Sequence, residues 1–297
     1  MTPLLTNPMS RILPLVLLLT AHLGATHVAG TDSLAPTLGV SLGRYLESEG
    51  RKFRVDFRGT LPALEALDSG KADLAIVLQR DGQELDRLPS GKRLRVFPLG
   101  AVAAYVYVHP SIGLREVDLA TLAGIFGAGQ KEDYKFWSDV PGVGFQEPIA
   151  PMTSGDETHP STTLFNGIAL SGRPYRSNVR LRLPVATAAE LLSSRTNAIL
   201  VSSEPMPEGV GRLLRVSDGR EGRSRTAYSP DDTNIYNGDY PLRLPVMLCV
   251  PEDKLASQKA TVAWLLSDVA ASALRKGSFI PTPAPIRERL SQRLDSK

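Results

Sequence analysis

Three stretches of the 297-residue sequence gather hydroxyls, small residues and cations where binding chemistry could occur: GTDSLAPTLG (30–39), RGT (58–60) and TSGDETHPSTTLF (153–165). In the first, a small, hydroxyl-rich turn leads straight into residues at helical spacing, and Asp32 suits an N-cap. In the second, the Arg58 guanidinium is able to pair bidentately with an oxyanion, and Thr60 begins the next helix. Arg80, just after DLAIVLQ, stands at the carboxyl end of a predicted parallel strand, where open α/β sheets place ligands. A solvated arginine and an ordinary cap are the plainer readings of the same residues.

Other chemistries find no support in the residue spacing. Of the four histidines, His22 and His27 lie in or beside an N-terminal apolar stretch, and His109 and His159 lack Cys, His or Asp partners at metal-ligand spacing. Ser154, Asp156 and His159 suggest acyl transfer, but no Gly-x-Ser-x-Gly elbow accompanies them, and a cap-and-turn role accounts for them better. The expectation is therefore a protein that is not an enzyme and needs no metal or cofactor. Lys and Arg total 34 against 31 acidic residues, a net +3 too small for a nucleic-acid footprint. GRLLRVSDGREGRSRT (211–226) reads as a strand followed by a solvated loop. Cys249, the single cysteine, sits in PVMLCVP and reads as a buried strand residue.

Arg11, the apolar run Ile12–Leu19 and small residues at Ala25 and Ala29 read as a secretory signal peptide over residues 1–29. The run is too short to span a bilayer, so a periplasmic or secreted, soluble protein with no membrane span after cleavage is expected.

The elements that would position these residues alternate. Leu34, Leu38, Leu42, Tyr45 and Leu46 recur at helical spacing; FRVDF (53–57) is a strand; a helix follows with Pro62 in its first turn and its stop at Gly70; DLAIVL (73–78) is a buried strand. Short connections between them imply parallel pairing. Two β-rich runs divided at Gly100 follow (94–110), then a helix from Asp118 to Gly127, a strand at 147–152, a loop into a helix (153–170), a helix (186–194) and a strand (197–203). A β-run (240–250), one long amphipathic helix (254–277) and a proline-rich, charged surface tail complete the chain.

The ordered fragments GTDSLAPTLG, RGTLPALEALDSGKADLAI, AVAAYVYVHPSIGL, LATLAGIFGAG…YKFW, TSGDETHPSTTLF, YPLRLPVMLCV and LLSDVAASALRKGSFIP resemble the type II periplasmic substrate-binding proteins of ABC transporters, in the phosphate-binding-like branch. The resemblance implies an α/β fold of two lobes, each a mostly parallel sheet flanked by helices, with the ligand in the cleft between them. Crossings fall near Ala101–Val108 and Asp239–Val246, giving one lobe of residues 30–100 plus 241–297 and another of 101–240. It also implies a monomer that captures a small oxyanion, most simply phosphate, for an ABC transporter permease. The alternatives are a non-phosphate ligand and a secreted non-transport module.

In that family anions are held by backbone N–H groups and hydroxyls at helix N-termini. The resemblance thus assigns ligand contacts to Thr31, Asp32 and Ser33, to Arg58, Gly59 and Thr60, to Arg80, and to Thr153, Ser154 and Gly155, with Ser161 and Thr162 as donors if the helix begins at Ser161 after Pro160. This sequence departs from the pattern in the third loop. The arginine that usually precedes it is absent, and Asp156 stands where threonine is expected, a carboxylate that would repel a dianion.

Overall fold

A computed structural model describes residues 25–80, 82–155, 159–219 and 225–294. In chain order its strands are β1 (Thr26–Gly30), β2 (Phe53–Phe57), β3 (Leu74–Leu78), β4 (Leu94–Ala103), β5 (Tyr105–Val108), β6 (Glu116–Asp118), β7 (Ala150–Ser154), β8 (Arg180–Leu183), β9 (Ala198–Ser202), β10 (Arg212–Leu213), β11 (Arg215–Ser217), β12 (Arg243–Pro251) and β13 (Ile280–Pro281). The α-helices are α1 (Val40–Ser48), α2 (Thr60–Asp68), α3 (Leu119–Phe126), α4 (Pro160–Ala169), α5 (Val185–Ser194), α6 (Asp232–Asn237), α7 (Leu255–Leu265), α8 (Asp268–Lys276) and α9 (Ala284–Arg293).

Two sheets carry the architecture. One has six strands in the order β13-β4-β12-β3-β1-β2, the other five in the order β10-β5-β9-β7-β8. In each, three neighbouring strands are parallel, β2-β1-β3 and β8-β7-β9, as short strand-helix-strand connections require. The remainder is antiparallel, which corrects the expectation of mostly parallel sheets. The reason is the chain path: β4 leaves the first sheet for the second and β12 returns beside it, so the two run in opposite directions, from Ala103↔Arg243 to Leu94↔Pro251.

The apolar pattern explains the packing. Leu34, Leu38, Leu42 and Leu46, four residues apart, are all fully buried against one face of the first sheet, together with residues of α7 and α8. The other face carries a smaller cluster built on Ala63 and Leu67 of α2 and on Cys249. Burial pushes the Cys249 thiol up to about 12. A separate core around Val106, Phe126, Trp137, Phe165 and Leu200 serves the second sheet. Tyr240 is fully buried and donates its hydroxyl to the Ala104 carbonyl at 2.7 Å, fixing one crossing against the other.

Several expectations are corrected. Thr26–Gly30, behind the apolar N-terminal stretch, is an inner strand paired on both sides, with Val28 fully buried. Gly100 does not end a strand; β4 runs through it to Ala103. A Cβ at Gly100 would lie 2.4 Å from the Ile280 carbonyl oxygen, so the residue is small because β13 lies against it. The long helix expected over 254–277 is two helices, because Ser267 leaves helical geometry and its hydroxyl accepts the Ala270 N–H to start α8. The tail is not merely surface: α9 folds back, burying Arg287, whose guanidinium donates to the carbonyls of Thr282 and Leu266 and to Asp268.

Candidate functional site

The carboxyl ends of β1, β2 and β3 bring the first two sequence candidates together. The Gly59 N–H donates to the Gly30 carbonyl at 3.0 Å, the Thr31 N–H to Ile76 at 2.9 Å, and the Leu78 N–H to the Thr60 hydroxyl at 3.1 Å. Thr31 is 3% exposed, with its hydroxyl 3.3 Å from both Asp32 Oδ1 and Ser33 Oγ. Asp32 Oδ1 also accepts the Ser33 N–H at 3.0 Å, so the carboxylate organises this turn. After it the chain winds through a 3₁₀ turn (Asp32–Leu34) and a wider π turn (Ala35–Gly39) before α1, a departure from regular helix that concentrates at functional sites.

The arginines are placed differently. Arg58 is exposed, and its guanidinium binds Asp56 at 2.6 Å, a carboxylate it shares with Arg54 at 3.0 Å. Partial burial alone would raise the Asp56 carboxyl, yet the hydrogen bonds and charges of Arg58 and Arg54 hold it below its ordinary value. Arg80 is exposed, and its backbone N–H is tied to Gln83 Oε1 at 3.1 Å.

The third candidate forms at the carboxyl ends of β7, β8 and β9. The Thr153 hydroxyl accepts the Arg182 N–H at 3.0 Å. The Ser154 hydroxyl donates to Ser202 Oγ at 3.0 Å, and that hydroxyl in turn donates to the Glu204 carbonyl at 2.6 Å. Gly155 has φ +124, and its N–H donates to the Leu183 carbonyl at 3.2 Å. Asp156, the residue that weighed against a dianion, lies outside the described residues.

Helix α4 begins one residue earlier than expected, with Pro160 as its first residue, where proline's missing N–H leaves no bond unmade. His159 caps it: Nδ1 accepts the Ser161 hydroxyl at 2.7 Å and faces the Ser161 N–H at 3.4 Å. The Thr162 hydroxyl donates to the His159 carbonyl at 2.7 Å. A serine and histidine at such a distance form half of a nucleophilic pair. Here Ser161 is 3% exposed, and the imidazole's Nε2 meets the Gly277 carbonyl at 3.3 Å instead of an orienting carboxylate. Among the described residues no three His, Cys, Asp or Glu side chains converge on a metal position.

Two contacts cross from the second sheet's helices and loops to the segment after α8. His159 meets Gly277 as above, with its ring 5.7 Å from that of Phe279, and the Ser278 hydroxyl donates to Glu204 Oε1 at 2.9 Å. Gly277 in turn lies against Thr37 of the π turn, so the GTDS helix and α4 approach through it.

A cavity of about 390 Å³ opens beside these contacts, lined by Gly155, His159, Arg182, Ser203 and Glu204 with Pro184 and Val185. A second, of about 420 Å³, lies between the crossing strands and α6, with Gln79, Asp232, Tyr236 and Arg243 among its polar residues. Arg182, Ser203 and Glu204 escaped the sequence reading. For Ser203 and Glu204 the signal that would have found them is the one applied to Arg80, since they stand just beyond the carboxyl end of a strand with a parallel neighbour, whereas no strand was expected over 180–183 to mark Arg182. Tyr175 lies close enough to feel the Arg182 charge; burial pushes its phenol up to about 12 against that charge.

No protein-family model matches the sequence. No curated protein matches it either. Solved structures do match in fold. A protein described as a possible phosphate-binding protein from Planctomyces limnophilus DSM 3776 superposes with a TM-score of 0.70 at 18% identity, covering 92% of this chain and 98% of that one. PstS from Borrelia burgdorferi gives 0.66 at 15% identity over 86% of this chain and 98% of its own. An ABC-type phosphate transport receptor from Vibrio cholerae gives 0.60 at 18% identity over 86% and 99%. With its two helix-flanked sheets joined by β4 and β12, the chain has the two-lobed α/β fold of these solved structures.

Proposed function

We propose that this protein is an exported, monomeric solute-binding protein that captures a small oxyanion, phosphate or a relative of it, and presents it to the permease of an ABC importer. The observation that carries this reading is the pairing of two helix starts, one after Thr31 and one after His159, linked through Gly277. Helix N-termini offer N–H donors and a favourable dipole to an anion. Ligand would bridge Thr31–Ser33 and Gly59–Thr60 on one lobe with Ser154–Gly155 on the other. The closed form would then gain contacts that neither half makes alone. The lobes divide, on this reading, at the crossings near Ala104 and Leu242, and export processing falls before Thr26 so that β1 stays whole. Among the described residues no helix is long and apolar enough to cross a membrane.

Thermal unfolding of the chain from Ala25 onward against phosphate, sulfate, molybdate, phosphonates and small carboxylates tests the proposal. A ligand at a hundredfold excess over its Kd stabilises the native state by about 2.7 kcal/mol. The expected result is a shift with phosphate or a phosphonate that Ser33→Ala reduces. A flat response to every anion sinks the reading in favour of a non-transport module on the same fold.

A further inference from the structure

Helix α8 ends in a turn whose residues stand in an unexpected order. The Phe279 N–H donates to the Leu274 carbonyl at 3.0 Å, and the Ser278 N–H to the Arg275 carbonyl at 3.0 Å. This pair of bonds is a common helix stop, in which the residue past the cap turns left-handed and is usually glycine. Here that residue is Ser278, at φ +60, while the glycine sits one place earlier, at Gly277, with φ −96. Gly277 is small for another reason: a Cβ there would stand 2.8 Å from Thr37 Oγ1. Serine at the left-handed position carries a steric cost that glycine would not.

What the serine adds is its hydroxyl, which donates to Glu204 Oε1 at 2.9 Å. The two residues belong to different halves of the molecule. Ser278 lies between α8, packed in the core of the first sheet, and β13, an edge strand of that sheet, and buried Leu274 and Phe279 anchor the turn in the same core. Glu204 follows β9 of the second sheet. Its backbone is fixed by Ser202, whose hydroxyl donates to the Glu204 carbonyl at 2.6 Å and accepts the Glu204 N–H at 3.2 Å. One residue before Ser278, the Gly277 carbonyl meets His159 Nε2 at 3.3 Å. Each end of the bond is thus held in position by its own half.

We propose that Ser278 and Glu204 form a clasp that draws the two halves together, and that the left-handed serine is kept for this contact. The clasp goes beyond the anion capture proposed above and does not depend on it.

Electron spin distance measurement between labels on Glu65→Cys in α2 and Glu190→Cys in α5 tests it, since both positions are exposed and the single native cysteine, Cys249, is buried. Ser278→Gly is the decisive variant. Glycine suits the left-handed turn better than serine, so this protein should fold and melt at or above the wild-type temperature. The expected result, with no ligand added, is a ratio of open to closed molecules about tenfold higher in Ser278→Gly, the scale of one hydrogen bond to a charged group, and equally so in Glu204→Ala. The double variant should open no further than either single one. An unchanged distance distribution in Ser278→Gly makes the serine a cap residue alone and overturns the clasp. Opening that adds up in the double variant overturns it too, because the two partners of one bond cannot lose it twice. Neither outcome requires an anion to bind, so failure of the capture function leaves this test intact.

Discussion

Gly155 combines two demands that only glycine meets. Its φ is +124, and a Cβ there would stand 2.6 Å from Ser203 Oγ. Gly155→Ala should therefore destabilise the protein by about 1–3 kcal/mol and weaken anion binding together, measured by urea unfolding and calorimetry. Loss of affinity with unchanged stability would show the backbone relaxing at no cost. Cys249 makes the opposite kind of case. With its thiol raised to about 12 by burial, it should resist iodoacetamide at pH 8 in the folded protein and react fully in denaturant. Residue chemistry was partly legible in the sequence. The hydroxyls of the GTDS turn were, and so was the capacity of Arg58 to form a charged pair. Its partner was not read: Arg58 was expected to meet an oxyanion or water, whereas the structure pairs it with Asp56, which lies on the same side of the strand as Arg54 and Arg58. Arg182 was hidden because a positive φ inside a strand leaves no mark on residue type.

Elements with strong end signals were the easiest to read. Asp118 accepts the Thr121 N–H at 2.7 Å and starts α3 where expected. Two elements were hidden for identifiable reasons. Strand β1 lies directly behind an apolar leader-like stretch, which absorbs its pattern. Helix α9 looks polar because its one deep anchor is an arginine. Arg287→Ala orphans the carbonyls of Thr282 and Leu266, and should lower the unfolding free energy by about 3 kcal/mol in urea titration. Asp268→Asn should lower stability slightly at neutral pH, by the small contribution that an exposed carboxylate makes through Arg287. The hydrogen bond from Arg287 holds the Asp268 carboxyl below its ordinary value. A lowered folded pKa stabilises above the unfolded value, about 3.9, and the contribution disappears as pH falls through the folded one. Acid titration of Asp268→Asn should accordingly lack this part of the loss of stability below about pH 4.

At the scale of the whole molecule, alternation of short strands and helices made the α/β class readable, and the matching fragments pointed to two lobes. The antiparallel half of each sheet was not readable, because it depends on which distant strands meet. The contacts of Gly277 and Ser278 with His159 and Glu204 tie the segment between α8 and β13 to the loops beside the second sheet. Ligand binding should therefore slow amide hydrogen exchange in residues 277–279 more than at the surface of α9. Unchanged exchange there with bound ligand would mean that closure does not pass through this segment. The strand order also bears on synthesis. All the strands of the second sheet come from residues 105–213, so that half is complete while the ribosome is still working. The first sheet must wait, since β12 fills the gap between β3 and β4 and emerges near the end of translation. Half of this protein therefore stays unable to fold until almost the whole chain exists, an interval in which the nascent polypeptide remains accessible to holding chaperones.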